Sequence, residues 1–591
     1  MTITKKMIRG GAFLLENADP NDVFIPEDLT EEQRLIAQTT LDFVKGEVIP
    51  VAAQLEKLDI DLTVQLLKHA GEIGLLGADI PEAYDGLGLD KISSTLITEY
   101  MTRGGAFALS HGAHVGIGTL PIVYFGTKEQ KEKYLPKLAT GEWIAAYALT
   151  EPGSGSDALG AKTTAKLTAD GTKYILNGTK QFITNAGFAD VFVVYAKVDG
   201  EKFSAFIVER TFPGVSVGPE EKKMGIKASS TRPLILEDAE VPAENLLGEI
   251  GRGHVIAFNI LNIGRYKLAA GCVGSSKDAI EISVKYANQR KQFGRPIASF
   301  PLIRAKLADM AIRTFALESM VYRTGGLFEG ALSTFDGTDD KGASVAKAIA
   351  EYAIECSINK VFGSETLDFV VDEGVQIHGG YGFIQEYSIE RLYRDSRINR
   401  IFEGTNEINR LLIPGTLVRK ALKGELPLLE SVQKLQGELM SVFPQVEEDD
   451  PLALMSAIIE RAKKIFLFVG GLAVQKYQKD LEREQEILSN LADIAIDIFA
   501  GESAFLRAKK VWNRDPVTAD LKVKMALAYA AESFVRIESI ARTTLAAIDE
   551  GDTLRTQLSI LKKLARQTPI NTIRIKREIA EEIVKAEKYI C

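Results

Sequence analysis

The sequence predicts a mainly α-helical protein with a central β domain. Hydrophobic residues recur at intervals of three and four through most of the chain, which is the spacing of one buried helix face. Near residue 146 the pattern changes to short β-branched runs separated by Asn-Gly and Asp-Gly pairs, and near residue 253 the helical spacing returns. The predicted units are an N-terminal extension, a helical domain, the β domain, a helical bundle and an additional C-terminal helical domain, over residues 1–29, 30–145, 146–252, 253–430 and 431–591.

The first helical domain has a clear start signal. Thr30 is a predicted N-cap, and Glu31 and Glu32 follow it in the first turn, where negative charge favours the positive end of a helix. Leu66 and Leu67 fit the apolar face of a later helix in the same domain.

In the β domain, the run from Lys173 predicts a strand that enters a turn at Asn177-Gly178. Residues 190–196 and 203–208 predict two strands of a hairpin that turns at Asp199-Gly200. The polar stretch 332–342 is a predicted surface loop in the following bundle, and the acidic stretch 447–451 is a predicted linker. Beyond it, the spacing of Ile487, Leu491, Ile494 and Ile498 predicts an amphipathic helix.

Bulk composition excludes several classes of function. The chain has 591 residues, of which 46% are hydrophobic and 26% charged, as in ordinary globular proteins. Its net charge of −9 argues against a nucleic-acid partner, because phosphate backbones need clustered Lys and Arg. No stretch reaches the roughly 18 apolar residues that a membrane span requires, and the N-terminal apolar run is too short for a signal peptide, so a cytoplasmic protein is expected. The three cysteines and five histidines lack ligand spacing, so no metal is expected.

Three polar or glycine-rich segments are candidates for chemistry. They are Ala148–Asp157, Gln376–Phe383 and Arg400–Ile408. The first could bind a pyrophosphate through its free backbone N–H groups, although turn-rich loops of this kind are common. The second could lie against a planar or phosphorylated ligand, or simply be a helix end followed by a flexible turn. Neither is a Rossmann or Walker A pattern, which disfavours a nicotinamide enzyme or a nucleotide hydrolase.

Glu403 is the candidate base in the third segment. It precedes Gly404, which has no Cβ and lets a ligand approach the backbone. Burial beside Ile401 and Phe402 would raise the pKa of its carboxyl group towards neutrality. On this segment alone the simpler interpretation is a loop residue ahead of a helix capped by Thr405 or Asn406, and the two companion segments reverse that preference.

In this order, the three segments resemble signatures of the acyl-CoA dehydrogenase family, over residues 35–425 and more loosely to the end of the chain. Ala148–Gly160 is similar to the first family signature and Gln376–Asp395 to the second. The resemblance implies a helical domain, a β-barrel or sandwich, a four-helix bundle and FAD as cofactor. It also implies oxidation of long-chain acyl-CoA to trans-2-enoyl-CoA in fatty acid β-oxidation, with electrons passed to electron-transfer flavoprotein.

The resemblance assigns a role to each matched residue. Glu403 is similar to the family's base, which removes the α-proton of the thioester. Substrate contacts are implied for Ser156, Asn262, Gly264, Arg265 and Gly404, and Gly264 lies where some branches keep their base. FAD contacts are implied for Tyr147, Leu149, Thr150, Gly155, Ser156, Phe182, Ile183, Thr184, Arg290, Gln292, Phe293, Phe300, Gln376, Ile377, His378, Gly379, Gly380, Thr405 and Glu407. In the family, Arg290 and Gln376–Gly380 contact the FAD of a neighbouring subunit.

Several positions are similar to the very-long-chain branch. Asn262 stands where many relatives have Asp, and Phe300-Pro301 replaces a pair common in short- and medium-chain members. The additional domain implies a homodimer, because in that branch it occupies the space of a second dimer. Residues 465–469 could make a weak membrane contact, as in some relatives, but a run this short favours burial. Three glycines within residues 111–121 would deepen an acyl pocket, or serve packing equally well.

Two alternatives to the dehydrogenase remain. One is an acyl-CoA oxidase, which passes electrons to oxygen. The other is a non-catalytic helical assembly protein on the same fold.

Overall fold

A computed structural model describes residues 8–334, 341–438 and 450–591. Within the described residues, seven α-helices precede the sheet: α1 Glu31–Phe43, α2 Ala52–Leu55, α3 Ile60–Glu72, α4 Lys91–Met101, α5 Phe107–Gly112, α6 Leu120–Phe125 and α7 Lys128–Thr140. The predicted cap at Thr30 is present, and its hydroxyl accepts the backbone N–H of Gln33.

A single mixed sheet forms the centre of the molecule. Its strands are β1 Ala145–Ala148, β2 Thr164–Leu167, β3 Lys173–Thr184, β4 Val191–Val198, β5 Lys202–Glu209, β6 Val215–Val217, β7 Thr231–Pro242 and β8 Leu246–Leu247. The strand order is β6-β7-β3-β2-β4-β5-β8, and β1 pairs with β4 in parallel. Because side chains alternate along a strand, β4 directs Phe192 and Val194 into a core of the β domain and Val193 and Tyr195 into the helical core.

The β4–β5 hairpin is confirmed, whereas the predicted turn at Asn177-Gly178 is wrong. β3 continues through this pair to Thr184, and its pairing with β7 is irregular between Leu176 and Gly178. A Cβ on Gly178 would lie only 2.4 Å from Thr163 Oγ1. The glycine therefore serves a close approach of two strands and not a chain reversal.

The remaining elements are helical apart from one short β ribbon. They are α8 Gly253–Gln289, β9 Lys291–Gln292, β10 Arg295–Pro296, α9 Pro301–Leu332, α10 Lys341–Glu351, α11 Ala353–His378, α12 Ser388–Ser396, α13 Asn406–Leu422, α14 Leu428–Glu438, α15 Pro451–Tyr477, α16 Gln485–Arg514, α17 Pro516–Ile548, α18 Gly551–Leu564 and α19 Thr572–Ala586. The fold class, mainly α-helical with a central sheet, is confirmed.

The added helices α15–α19 pack on the bundle through α9 and α13. The run 465–469 is buried within α15, so its side chains fill a core. Among the described residues, no helix is long and apolar enough to cross a membrane. Residues 335–340 of the predicted surface loop and residues 447–449 of the predicted linker lie outside the described part of the chain.

Candidate active site

A cavity of about 1460 Å³ lies between the β domain and the helices α8, α11 and α13. It brings together most of the residues that the sequence assigned to one site. From that set, its wall includes Tyr147, Leu149, Thr150, Gly155, Ser156, Phe182, Ile183, Thr184, Asn262, Arg265, Glu403, Gly404 and Thr405. A single small-molecule pocket usually measures about 300–1,000 Å³, so this cavity has room for more than one bound molecule.

Glu403 is placed by a tight loop at the N-terminal end of α13. Glu403 and Gly404 both have left-handed backbone angles, with φ values of 58° and 80°. This costs about 1–2 kcal/mol at the glutamate, because its Cβ crowds the following carbonyl. Two side chains hold the loop in this conformation: Arg265 Nε donates to the Glu403 carbonyl at 3.1 Å, and Asn409 Nδ2 donates to the Gly404 carbonyl at 2.9 Å.

The carboxylate of Glu403 faces the cavity and packs against the bare Cα of Gly264. A Cβ at residue 264 would lie 2.5 Å from Glu403 Oε2. That oxygen is buried and has no hydrogen-bond partner, whereas the residue as a whole remains partly exposed to the cavity. Burial raises the pKa of Glu403 to about 7, and the positive charges of Arg265 and Lys360 only partly oppose that rise. A base with a pKa near the working pH is suited to proton abstraction.

The loop between β1 and β2 is anchored from beneath by a residue whose role the sequence did not reveal. Glu151 accepts hydrogen bonds from Lys180 Nζ at 2.7 Å and from the backbone N–H groups of Lys162 and Thr163 at 2.6 and 3.0 Å. Lys180 is fully buried in β3. This ion pair fixes the loop while leaving the backbone of Gly155 open on the cavity side.

A β-bulge directs Phe182 towards the same cavity. The pairing of β3 with β7 is irregular between Lys180 and Ile183, and Phe182 has a φ of 59°. The ring is 61% exposed in consequence, although its neighbour Ile183 is buried. A bulge of this kind re-aims one side chain without ending the strand.

The other predicted FAD residues do not reach this cavity. A second hollow, of about 520 Å³, is lined by Arg290, Gln292 and the segment from Ile377 to Gly380. Gln376 lines neither cavity. Phe293 is 93% exposed, and the centre of its ring lies 5.9 Å from that of Phe300. Glu407 lies in the first turn of α13 with an exposed side chain. Within one chain, therefore, the predicted set is divided between two surfaces.

One end of the large cavity is basic, which the sequence analysis did not predict. Lys347 of α10 and Arg419, Lys420 and Lys423 at the C-terminal end of α13 line it there, together with the acidic Glu351 and Glu425, which leaves an excess of positive charge. Among the described residues, neither Lys347 nor Lys423 forms an ion pair. Arg419 and Lys423 are close in sequence, but Lys347 belongs to another helix and meets them only through packing.

The cavity fits FAD, the cofactor that the resemblance implies. Thr184 and Thr231 are directly paired across β3 and β7, and both line the cavity. The Thr231 hydroxyl is buried without a hydrogen-bond partner, so it can donate to or accept from a ligand. At Gly153 and Gly155 no atom lies within 4 Å of a Cβ position, which leaves the backbone accessible to phosphate groups.

Comparison with known proteins places these features in one family. Four family profiles match: acyl-CoA dehydrogenase N-terminal domain at residues 30–142, middle domain at 146–239, and two C-terminal domain profiles at 251–417 and 461–563.

Individual relatives match along nearly the whole chain. A probable acyl-CoA dehydrogenase of Bacillus subtilis is 62% identical over 583 residues, covering 98% of each chain. The bovine mitochondrial very long-chain specific acyl-CoA dehydrogenase is 36% identical, covering 95% of this chain and 87% of that protein. The crystal structure of an acyl-CoA dehydrogenase complexed with FAD from Bacillus anthracis superposes with a TM-score of 0.98 at 63% identity, covering 99% of this chain and all of that one.

Proposed function

This chain belongs to the acyl-CoA dehydrogenase family and is an FAD-dependent oxidoreductase, and we propose that it oxidises long-chain acyl-CoA to trans-2-enoyl-CoA in fatty acid β-oxidation. The observation that carries the proposal is the unpartnered carboxylate of Glu403, buried at one oxygen and facing the cavity with a pKa near 7. Glu403 takes the α-proton of the thioester. Bound FAD supplies the acceptor for the β-hydride, which no amino-acid side chain can provide.

Residues on the β-domain side are assigned to the flavin and those on the helical side to the substrate. Tyr147 to Ser156 and Phe182 to Thr184 would hold FAD from the sheet, with Thr405 and Glu407 at its adenosine end. Asn262 and Arg265 would contact the substrate beside the base. Arg265 also donates to Asn262 Oδ1 at 3.0 Å, which fixes both side chains on α8.

The basic end of the cavity supports a CoA thioester as substrate. Lys347, Arg419 and Lys423 line the same cavity as Glu403, at the far end of α13. CoA carries several phosphate groups, and Arg and Lys side chains bind phosphate through charge-assisted hydrogen bonds. We assign these three residues to the nucleotide end of CoA.

A long acyl chain is supported by the glycines of residues 111–121. At Gly112 and Gly116 no atom from outside their own helical turn lies within 4 Å of a Cβ position, and Ile117 of the same segment lines the cavity. Gly118 differs, because a Cβ there would lie 2.8 Å from that of Ala145, which is a packing requirement. Two of the three glycines therefore fit a deep pocket and one fits close packing.

We further propose a homodimer and electron-transfer flavoprotein as the electron acceptor. The surface beside the second hollow exposes apolar side chains, with Phe293 93%, Phe383 84% and Leu302 80% exposed. An exposed apolar patch of this kind is typical of a protein interface. A second subunit packed there would bring Arg290 and Gln376–Gly380 to its partner's FAD. The number of chains per particle, measured by light scattering, tests this interface.

The decisive experiment is an anaerobic titration of the purified holoenzyme with acyl-CoAs of graded chain length. Bleaching of the flavin absorbance shows the reaction and ranks the substrates. In Glu403→Gln, bleaching should slow by about 10²–10⁴-fold with FAD retained, because the general base is lost. Glu72→Gln, an exposed residue of α3, is the matched control. Near-normal bleaching by Glu403→Gln would refute the assignment of the base.

The oxidase alternative predicts peroxide release with acyl-CoA and oxygen alone. The assembly-protein alternative predicts a colourless protein that does not take up FAD.

A further inference from the structure

The connection between β6 and β7 forms part of the wall of the large cavity. Its residues 221–226, which we call the wall loop, all line that cavity. Met224 is 71% exposed, and Ile226 has a left-handed backbone angle, with a φ of 49°. Such angles are rare for a β-branched residue, because its side chain crowds the backbone. A conformation of this kind persists only where surrounding contacts hold it.

The helix α12 supplies such contacts. The carboxylate of Asp395 accepts the backbone N–H of Ile226, and Arg394 Nη1 donates to the Met224 carbonyl at 3.2 Å. Gly225 lies directly against the helix, since a Cβ there would lie 2.4 Å from the Arg394 carbonyl oxygen. The wall loop is therefore attached to both the backbone and the side chains of α12.

The wall loop is also joined to the segments assigned to the flavin. Glu221 accepts a hydrogen bond from the side-chain amide of Gln181, the residue before Phe182. The backbone N–H of Gln181 donates to the Thr150 carbonyl at 2.8 Å. Phe182 and Thr150 both line the cavity. The wall loop thus lies between α12 on one side and both flavin segments on the other, with hydrogen bonds to each side.

The chain connects α12 directly to the proposed base. The helix ends at Ser396, one short helical turn follows it, and Glu403 comes soon after that turn. The same stretch of chain therefore binds the flavin side of the cavity at one end and carries the base at the other. The proposed reaction needs base and flavin at a fixed separation, because a displacement of about 1 Å can slow a reaction roughly 100-fold.

We propose that Asp395 is a positioning residue for the reaction, whose hydrogen bond to the wall loop sets the gap between the flavin side of the cavity and Glu403. The inference rests on the proposed function, since it concerns the base and cofactor of that reaction. Asp395 does not line the cavity and acts through the wall loop. Its second oxygen is buried without a hydrogen-bond partner among the described residues, so the hydrogen bonding of this side chain is directed at that loop.

The first test removes the hydrogen bond and then restores it. Asp395→Ala loses the acceptor, whereas Asp395→Asn keeps a side-chain oxygen for the Ile226 N–H. At full FAD occupancy and saturating acyl-CoA, flavin reduction should slow by about tenfold to 100-fold in Asp395→Ala. It should stay within about threefold of wild type in Asp395→Asn, because a neutral acceptor retains most of the hydrogen bond. A purely structural role would lower the thermal unfolding midpoint and leave the reduction rate of the folded holoenzyme unchanged.

A second variant disturbs the same contact without changing a charge. In Gly225→Ala the new methyl group must push the wall loop away from α12, so flavin reduction should slow by about tenfold to 100-fold. Gly214→Ala is the matched control: this glycine lies in the same β domain outside the cavity, and a Cβ there would lie 2.3 Å from the Glu237 carbonyl oxygen. It should lower the thermal unfolding midpoint and leave the reduction rate unchanged. Gly225→Ala decides the question if Asp395→Ala yields no folded holoenzyme.

Visible circular dichroism of the bound FAD gives a readout that does not depend on turnover, because the signal depends on the groups packed around the flavin. The spectrum should change in Asp395→Ala and Gly225→Ala and match wild type in Asp395→Asn and Gly214→Ala.

A wild-type reduction rate in Asp395→Ala, or equal losses in Asp395→Ala and Asp395→Asn, overturns the inference. Failure of every acyl-CoA to reduce the wild-type flavin would instead refute the proposed function, and the dichroism would still show whether Asp395 sets the flavin side of the cavity.

Discussion

Two buried glutamates in this molecule have opposite environments. Glu318 of α9 lies in a charge cluster that we define as Glu27, Lys277, Glu318 and Arg507. Arg507 Nη1 lies 2.6 Å from Glu318 Oε2, and Lys277 binds its other oxygen. Burial alone would raise the pKa of Glu318, but Arg507 and Lys277 hold it well below its ordinary value. Glu403 has neither contact, and its pKa rises to about 7.

The comparison distinguishes a buried carboxylate that stabilises the fold, Glu318, from one proposed to act in the reaction, Glu403. The charge cluster joins the N-terminal extension, the bundle and the added helices, since Arg507 also lies 2.8 Å from Glu27. Its carboxylates stay ionised and fully partnered, which compensates for their lost hydration. Among the described residues, Glu403 Oε2 is buried without a hydrogen-bond partner, as the proposed base requires. The charges that stabilise the fold and the proposed base are therefore different buried groups.

The largest expected effect is a loss of stability on removing Arg507 from the charge cluster. Arg507→Met leaves Glu27 and part of Glu318 uncompensated in the interior. The free energy of unfolding should fall by about 3–5 kcal/mol, as is typical when one partner of a buried pair is removed. Chemical denaturation measures this. Arg555→Met, from an exposed pair on α18, should change it by less than about 1 kcal/mol. Equal stabilities for the two variants would contradict a structural role of the cluster.

The second prediction concerns stability at Glu403 itself. Its folded pKa is about 7 against a usual value of 4.5, so ionisation disfavours the folded state. This loss is absent below pH 4.5, grows as pH rises to 7 and is then constant. Glu403→Gln should therefore be more stable than wild type by about 2–3 kcal/mol at pH 8 and equal to it near pH 4.5.

Thermal unfolding at several pH values measures this difference. Glu72→Gln should show no pH-dependent difference from wild type. A wild-type stability for Glu403→Gln at pH 8 would show that the carboxyl group is not desolvated.

A smaller effect is expected where the carboxylate packs on α8. In Gly264→Ala the new methyl group would lie 2.5 Å from Glu403 Oε2 and must displace it. We expect flavin reduction to slow by about tenfold, since a misplaced base loses alignment with its proton. FAD content should be unchanged. Gly330→Ala, where nothing lies within 4 Å, is the matched control and should react as wild type.

The smallest effect concerns the cap that follows the base. Thr405 accepts the backbone N–H of Ile408 at 3.2 Å, and Thr30 caps α1 in the same way. Thr405→Ala and Thr30→Ala should each lower the free energy of unfolding by about 1 kcal/mol. Only Thr405→Ala, compared with wild type at full FAD occupancy, should also change the rate of flavin reduction, because only that cap supports the base loop. Identical rates in both variants would mean that the loop does not depend on its cap.

Local sequence signals predicted much of the fold. The cap at Thr30, the β4–β5 hairpin and the helical spacing of α16 depend on residues close in the chain, and all are present. The predicted turn at Asn177-Gly178 was wrong because the glycine is required by a close contact with Thr163, a residue of the neighbouring segment. An Asn-Gly pair indicates that the backbone can adopt unusual dihedral angles at that point. It does not show whether a turn or a close contact between segments requires them.

By itself, the sequence identified the family and FAD and named Glu403 as the candidate base, because these depend on contiguous motifs around residues 150, 380 and 403. Only the tertiary structure decided which groups surround the base. Gly264, Arg265 and Lys360 come from two other helices and reach Glu403 through packing alone. It also separated Arg290 and Ile377–Gly380 from the main cavity. The pKa of a carboxyl group depends on burial and on charges within a few ångströms, and those are properties of the assembled fold, whatever the spacing along the chain.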